Sequence, residues 1–164
     1  MRPAWLAQLA AITVGVALLG PAGAHEFNVG DITIDHPSSR PTPPGAKVGV
    51  GYVTIRNDGA EADRLIGGSA TVAGRFEIHE SSLEGGVARM RRVEDGIALE
   101  PGATVKLASG GAHVMLLDLK EPIVKGQTFD GTFVFERAGT VPVRFSVDGF
   151  GAAAAAPSHE GHEL

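Results

Sequence analysis

Between Thr140 and Asp148 the chain sets Val141, Val143, Phe145 and Val147 against Thr140, Pro142, Arg144, Ser146 and Asp148. A period of two places one set on each face of an extended backbone, which is the pattern of a half-buried strand. Phe129, Phe133 and Phe135 repeat it with Gly131 between them. The rest of the chain shows no convincing helical periodicity, only short runs punctuated by Gly, Pro and Asp. Such a chain can bury its apolar residues only by layering sheets.

Further strands are predicted at Asn28–Asp35, Val48–Asn57, Phe76–Ser82, Val87–Val93, Thr104–Ala108 and His113–Lys120. About eight to ten short strands in one domain imply an all-β domain, a β-sandwich or Greek-key barrel. Pro142 lacks the N–H that a central strand needs, so its run is expected at an edge or beside a bulge. The Ser38-to-Ala46 segment, with Pro41, Pro43 and Pro44, reads as an extended loop.

The first residues read as an export leader. Arg2 precedes a mostly apolar run from Ala4 to Leu19, and Pro21 then leads into Ala22-Gly23-Ala24. The run is short of the roughly 20 residues needed to span a bilayer. Residues 1–24 are therefore expected to be a signal peptide cleaved after about Ala24, leaving no stable membrane anchor. The expected domain is 25–150, followed by a flexible tail, 151–164, that holds five alanines, His159 and His162. With no cysteine the chain offers neither a disulfide nor a thiol for lipidation. A net charge of −5 without a basic cluster argues against nucleic acid as a partner.

The chain has three methionines, and beyond Met1 only Met90 and Met115 remain. Both stand in a frame with two histidines. Ten residues separate His79 from Met90, twenty-two separate Met90 from His113, and one separates His113 from Met115. His113 and Met115, two apart on a predicted strand, leave the same face. If Glu84 and Gly85 centre a hairpin turn, His79 faces Met90 directly, Glu77 faces Arg92, Glu80 faces Arg89 and Phe76 faces Val93. Ile78 against Arg91 is the poorest match of that register. Two imidazoles and two thioethers, without a thiolate, form a ligand set suited to Cu(I). Thioethers need no deprotonation, and they cannot be lost to disulfides in an oxidising compartment.

The individual residues also admit ordinary readings. Met115 beside Leu116 and Leu117 can be core, and His79 can be a hydrogen-bonded surface residue. His25, the first residue after cleavage, would join an α-amine to an imidazole and so offer a secondary site for Cu(II). His159 and His162 offer another, and His36 before Pro37 reads as a structural loop residue.

In these motifs the chain resembles the PCuAC copper chaperones, whose signature is His, ten residues, Met, twenty-one residues, then His-x-Met. His79, Met90, His113 and Met115 match its four ligand positions. Ile34-Asp35-His36-Pro37, Thr42-Pro43-Pro44-Gly45-Ala46 before Gly51-Tyr52, and Gly110-Gly111 add to the similarity. One extra residue in the second spacer is assigned to the Glu94-to-Pro101 loop. Where many members carry a further Met behind the first His, this chain has Glu80 and Ser81.

The resemblance implies a cupredoxin-like β-sandwich in the periplasm. It implies no enzymatic activity, but delivery of Cu(I) to a copper-acceptor protein, the oxidase subunit that holds a dinuclear copper centre. Two alternatives stay open: a copper oxidase or oxygenase built on His25, and a structural or interaction module whose His and Met residues are incidental.

Overall fold

A computed structural model describes residues 26–149. The expected leader 1–24, the tail 151–164, and with them His25, His159 and His162 lie outside the described residues.

Among the described residues there are eleven strands and no helix. They are β1 (Glu26–Val29), β2 (Ile32–Ser39), β3 (Val48–Asn57), β4 (Asp63–Ala70), β5 (Arg75–Glu84), β6 (Val87–Arg92), β7 (Ile97–Leu99), β8 (Thr104–Leu107), β9 (Ala112–Leu117), β10 (Thr128–Phe135) and β11 (Gly139–Val147). Hydrogen bonding runs in the order β6-β5-β9-β3-β2-β11-β10-β4-β7, with β1 added on β2 and β8 on β3. The path stays open, with β6 and β7 at its two ends, so the sheet is mixed and does not close into a barrel. All pairings are antiparallel except the short β2–β11 junction, Ser38 with Ser146 and Ser39 with Val147.

The sheet folds over so that distant strands share one core. Phe76 of β5 meets Phe133 of β10 edge-on at 5.8 Å between ring centroids, and Phe145 of β11 packs against Phe133 and Phe129. Ile34, Ile55, Leu65, Leu99, Val114 and Leu116 are among the fully buried side chains. The alternation read at Val141–Val147 and Phe129–Phe135 is thus the inward face of β11 and β10.

Two strands escaped the pattern. In β4, Gly67-Gly68 looks like a turn. Position 68 needs glycine because a Cβ there would lie 2.3 Å from the Thr132 carbonyl oxygen and 2.8 Å from the Phe76 ring. The three residues of β7, read as part of a loop, pair with β4 at Asp63, Arg64 and Leu65. The single strand expected over Asn28–Asp35 is two, turned at Gly30, whose φ is 54°. β2 also runs on to Ser39 past a bulge between Asp35 and Ser38, so the proline loop starts only at Arg40. His36 sits in that bulge at φ 49°, bonded through Nε2 to Asp148 at 3.2 Å. Pro142 pairs across β10 with Thr132, and the contact of β11 with β2 reaches only Ser146 and Val147. Its missing N–H therefore interrupts no second ladder.

The β5–β6 hairpin turns on Gly85 and Gly86, not on Glu84 and Gly85. Both glycines are left-handed, with φ of 60° and 82°, as a tight two-residue hairpin turn requires. Glu84 would be strained in that conformation. A Cβ on Gly86 would meet no atom within 4 Å. Gly86→Ala should therefore destabilise by about 1–2 kcal/mol through backbone strain alone, as read by urea unfolding.

Candidate metal centre

The glycine turn moves the hairpin register by two from the sequence expectation. His79 lies opposite Arg92, and Met90 lies opposite Ser81, so the direct His79–Met90 pairing is corrected. The shift also removes the poor match: Ile78 now faces Val93, whose N–H donates to its carbonyl at 2.8 Å. The expected charge pairs are redistributed. Glu80 pairs with Arg91 at 3.2 Å and Arg89 with Glu84 at 3.2 Å, while Glu77 still reaches Arg92 at 3.6 Å, diagonally.

Because the shift is even, faces are preserved. His79 and Met90 still leave the same face, now as diagonal neighbours, a separation that long side chains can bridge. On the other side of β5, His79 faces His113 of β9 directly, and Met115 faces Glu77. All four sequence-predicted residues therefore share one face of the β6-β5-β9 sheet. The histidine pair stands in the middle and the two methionines flank it from opposite corners. The opposite face of the same strands carries the core residues Ile78, Val114 and Leu116.

Burial distinguishes the four positions. Met115 is half-buried and turned away from Val114 and Leu116, so it is not a core residue. Met90 is 56% exposed on a strand whose six residues are all exposed. His113, by contrast, is buried. The two imidazole centroids lie 6.4 Å apart. That spacing leaves room for one ion at the bond length of about 2.0 Å typical of metal–imidazole contacts.

Hydrogen bonds fix both rings. His113 Nδ1 donates to the Gly111 carbonyl at 2.9 Å, which leaves its Nε2 as the lone-pair nitrogen. His79 Nε2 lies 2.9 Å from Glu77 Oε2. The other nitrogen of His79, Nδ1, is buried with no hydrogen-bond partner. An unpaired buried polar atom costs about 1–3 kcal/mol, and ligand contact would relieve it. Glu77 Oε1 in turn meets Arg75 Nη1 at 3.2 Å and Arg92 Nη1 at 3.6 Å. The Glu77 carboxyl is held below the usual carboxylate range, chiefly by the hydrogen bond from His79 and then by the charges of Arg92 and Arg75, against the opposing effect of burial.

Glu77 enters the site unforeseen, since the sequence reading used it only as a partner of Arg92. The available signal was its spacing of two from His79, which puts both side chains on one face of a strand. Among the described residues no three His, Asp or Glu side chains gather as a chelating cluster. Besides the Glu77 carboxylate, the donors that share the face are two imidazoles and two thioethers.

A family model described as "Putative lipoprotein LpqE-like" matches residues 32–147. A protein of Leifsonia xyli subsp. xyli, named "Putative lipoprotein Lxx21020", is 29% identical over 109 residues, 66% of this chain and 66% of its own length. A copper-bound PCuAC domain from PmoF2 superimposes with a TM-score of 0.65 at 33% identity, covering 76% of this chain and 98% of that one. The Cu(I) form of DR1885 from Deinococcus radiodurans gives a TM-score of 0.58 at 26% identity over 77% of this chain and 83% of its own. The chain spans from 47% to 66% of the length of the curated relatives it matches. The family match and these neighbours together establish that the chain belongs to the LpqE-like family and that its domain is of the PCuAC type.

Proposed function

We propose that this chain is an exported, non-enzymatic copper chaperone that holds Cu(I) between His79, His113, Met90 and Met115. The observation that carries the reading is the shared face, with the imidazoles 6.4 Å apart and the two internal methionines flanking them. Soft, neutral sulfur donors favour Cu(I), and a d¹⁰ ion imposes no strong geometry on the four positions. The solved PCuAC domains that bind copper support the same cargo.

The destination is a copper-acceptor protein, in this reading the oxidase subunit with a dinuclear copper centre, and the place of work is the periplasm after cleavage near Ala24. Relatives named as lipoproteins fit export, although this chain contains no cysteine to take a lipid. Cu(II) binding at His25, or at His159 and His162, is a secondary proposal.

X-ray absorption on the Cu(I)-loaded protein tests the site. Two sulfur and two nitrogen neighbours are expected, and a copper shell without sulfur would rule out the proposed donors. Transfer of the ion to an isolated apo dinuclear-centre domain, followed by its visible absorption, tests the destination.

A further inference from the structure

We infer that Glu77 is the positioning residue of the copper site, and that it makes the two histidines bind through different ring nitrogens: His79 through Nδ1 and His113 through Nε2. The inference rests on the copper-carrying reading above and adds to it the internal wiring of the site.

The chemistry of the two rings differs because their fixed partners differ. Both partners accept hydrogen bonds only, a carboxylate oxygen for His79 and a backbone carbonyl for His113. The nitrogen facing each acceptor must carry the proton, and the other nitrogen then presents its lone pair. For His113 the acceptor is the Gly111 carbonyl, which also takes the Ser81 N–H at 3.1 Å, so the base of the hairpin and the ring share one oxygen. For His79 the acceptor is Glu77 Oε2, and the lone pair falls on Nδ1, the buried atom with no partner. The reverse tautomer would set the Nε2 lone pair against a carboxylate and leave a buried N–H unpaired.

Glu77 is itself constrained. Its side chain is 12% exposed, and its second oxygen is shared by Arg75 and Arg92. Arg75 is anchored in turn on Asp118 at 2.7 Å. The chain of contacts thus runs from Asp118 through Arg75 and Glu77 to the His79 ring. A carboxylate behind a metal-binding imidazole fixes its orientation and raises its basicity, and losing such a partner commonly lowers metal affinity by about 10–100-fold.

Two measurements on the whole protein test the inference. Long-range ¹H–¹⁵N correlation of the apo protein at mildly alkaline pH reads each tautomer without any metal. The expected result is Nε2–H for His79 and Nδ1–H for His113, with His79 becoming a mixture of tautomers in Glu77→Ala. Competition titration with Cu(I) should show Glu77→Ala weaker by about 10–100-fold. Glu77→Gln, whose amide oxygen can still accept from Nε2, should keep the tautomer and fall between that variant and the wild type. An Nδ1–H tautomer at His79 in the wild type would overturn the inference, as would a Glu77→Ala variant that binds Cu(I) as tightly as a wild type that binds it well. If the wild type takes up no Cu(I), the copper reading falls together with this inference, an outcome distinct from either of those.

Discussion

Changing Met90 and Met115 together to alanine should lower Cu(I) affinity by more than about 100-fold, since losing a mere outer partner of a ligand already costs 10–100-fold. A competition titration against a chromophoric Cu(I) chelator measures this directly. The folded state should survive the change, because neither residue belongs to the core: Met90 is exposed, and Met115 is turned away from Val114 and Leu116. Far-UV circular dichroism and the urea midpoint of the double variant separate lost ligation from lost folding. A folded double variant of undiminished affinity would show both thioethers to be bystanders, and the proposed cargo site would have to be abandoned.

The largest effect on stability is expected at Phe133. Its side chain is fully buried between Phe76 and Phe145, at centroid separations of 5.8 and 5.7 Å. It joins β10 to β5 across the fold, not along one ladder. Phe133→Ala removes both ring contacts and opens a cavity, and should destabilise by about 3–5 kcal/mol. Urea unfolding reads this loss, and a cost under about 1 kcal/mol would show that the two halves of the sheet do not close on this ring. Because β5 carries both Phe76 inward and His79 outward, this variant should also loosen the histidine pair.

The sequence made some features legible and hid others for physical reasons. Alternation exposed β10 and β11, because each buries one clean apolar face. It missed β4, where the requirement for close backbone approach at Gly68 overrides strand propensity and imitates a turn. The shared face of His79, Met90, His113 and Met115 was readable because parity survives a register shift of two. The register itself was not, since it depends on which adjacent pair among Glu84, Gly85 and Gly86 takes the left-handed conformation. The mismatch of Ile78 against Arg91 was the clue that the alignment was off. Glu77 was hidden for another reason: a charged residue near arginines already has an explanation, and only the fold puts its Oε2 on an imidazole while Oε1 meets the arginines.

The hairpin has one more consequence. β9 accompanies β5 only as far as Glu80, beyond which β5 and β6 pair only with each other, and among the described residues β6 has no strand on its outer margin. Segments secured on a single side open more often than ladders in the middle of a sheet. The two imidazoles thus share the lifetime of the central ladder, whereas Met90 rides on the part of the molecule that breathes soonest. Any ion seated there would be met first, and let go first, by that outermost sulfur.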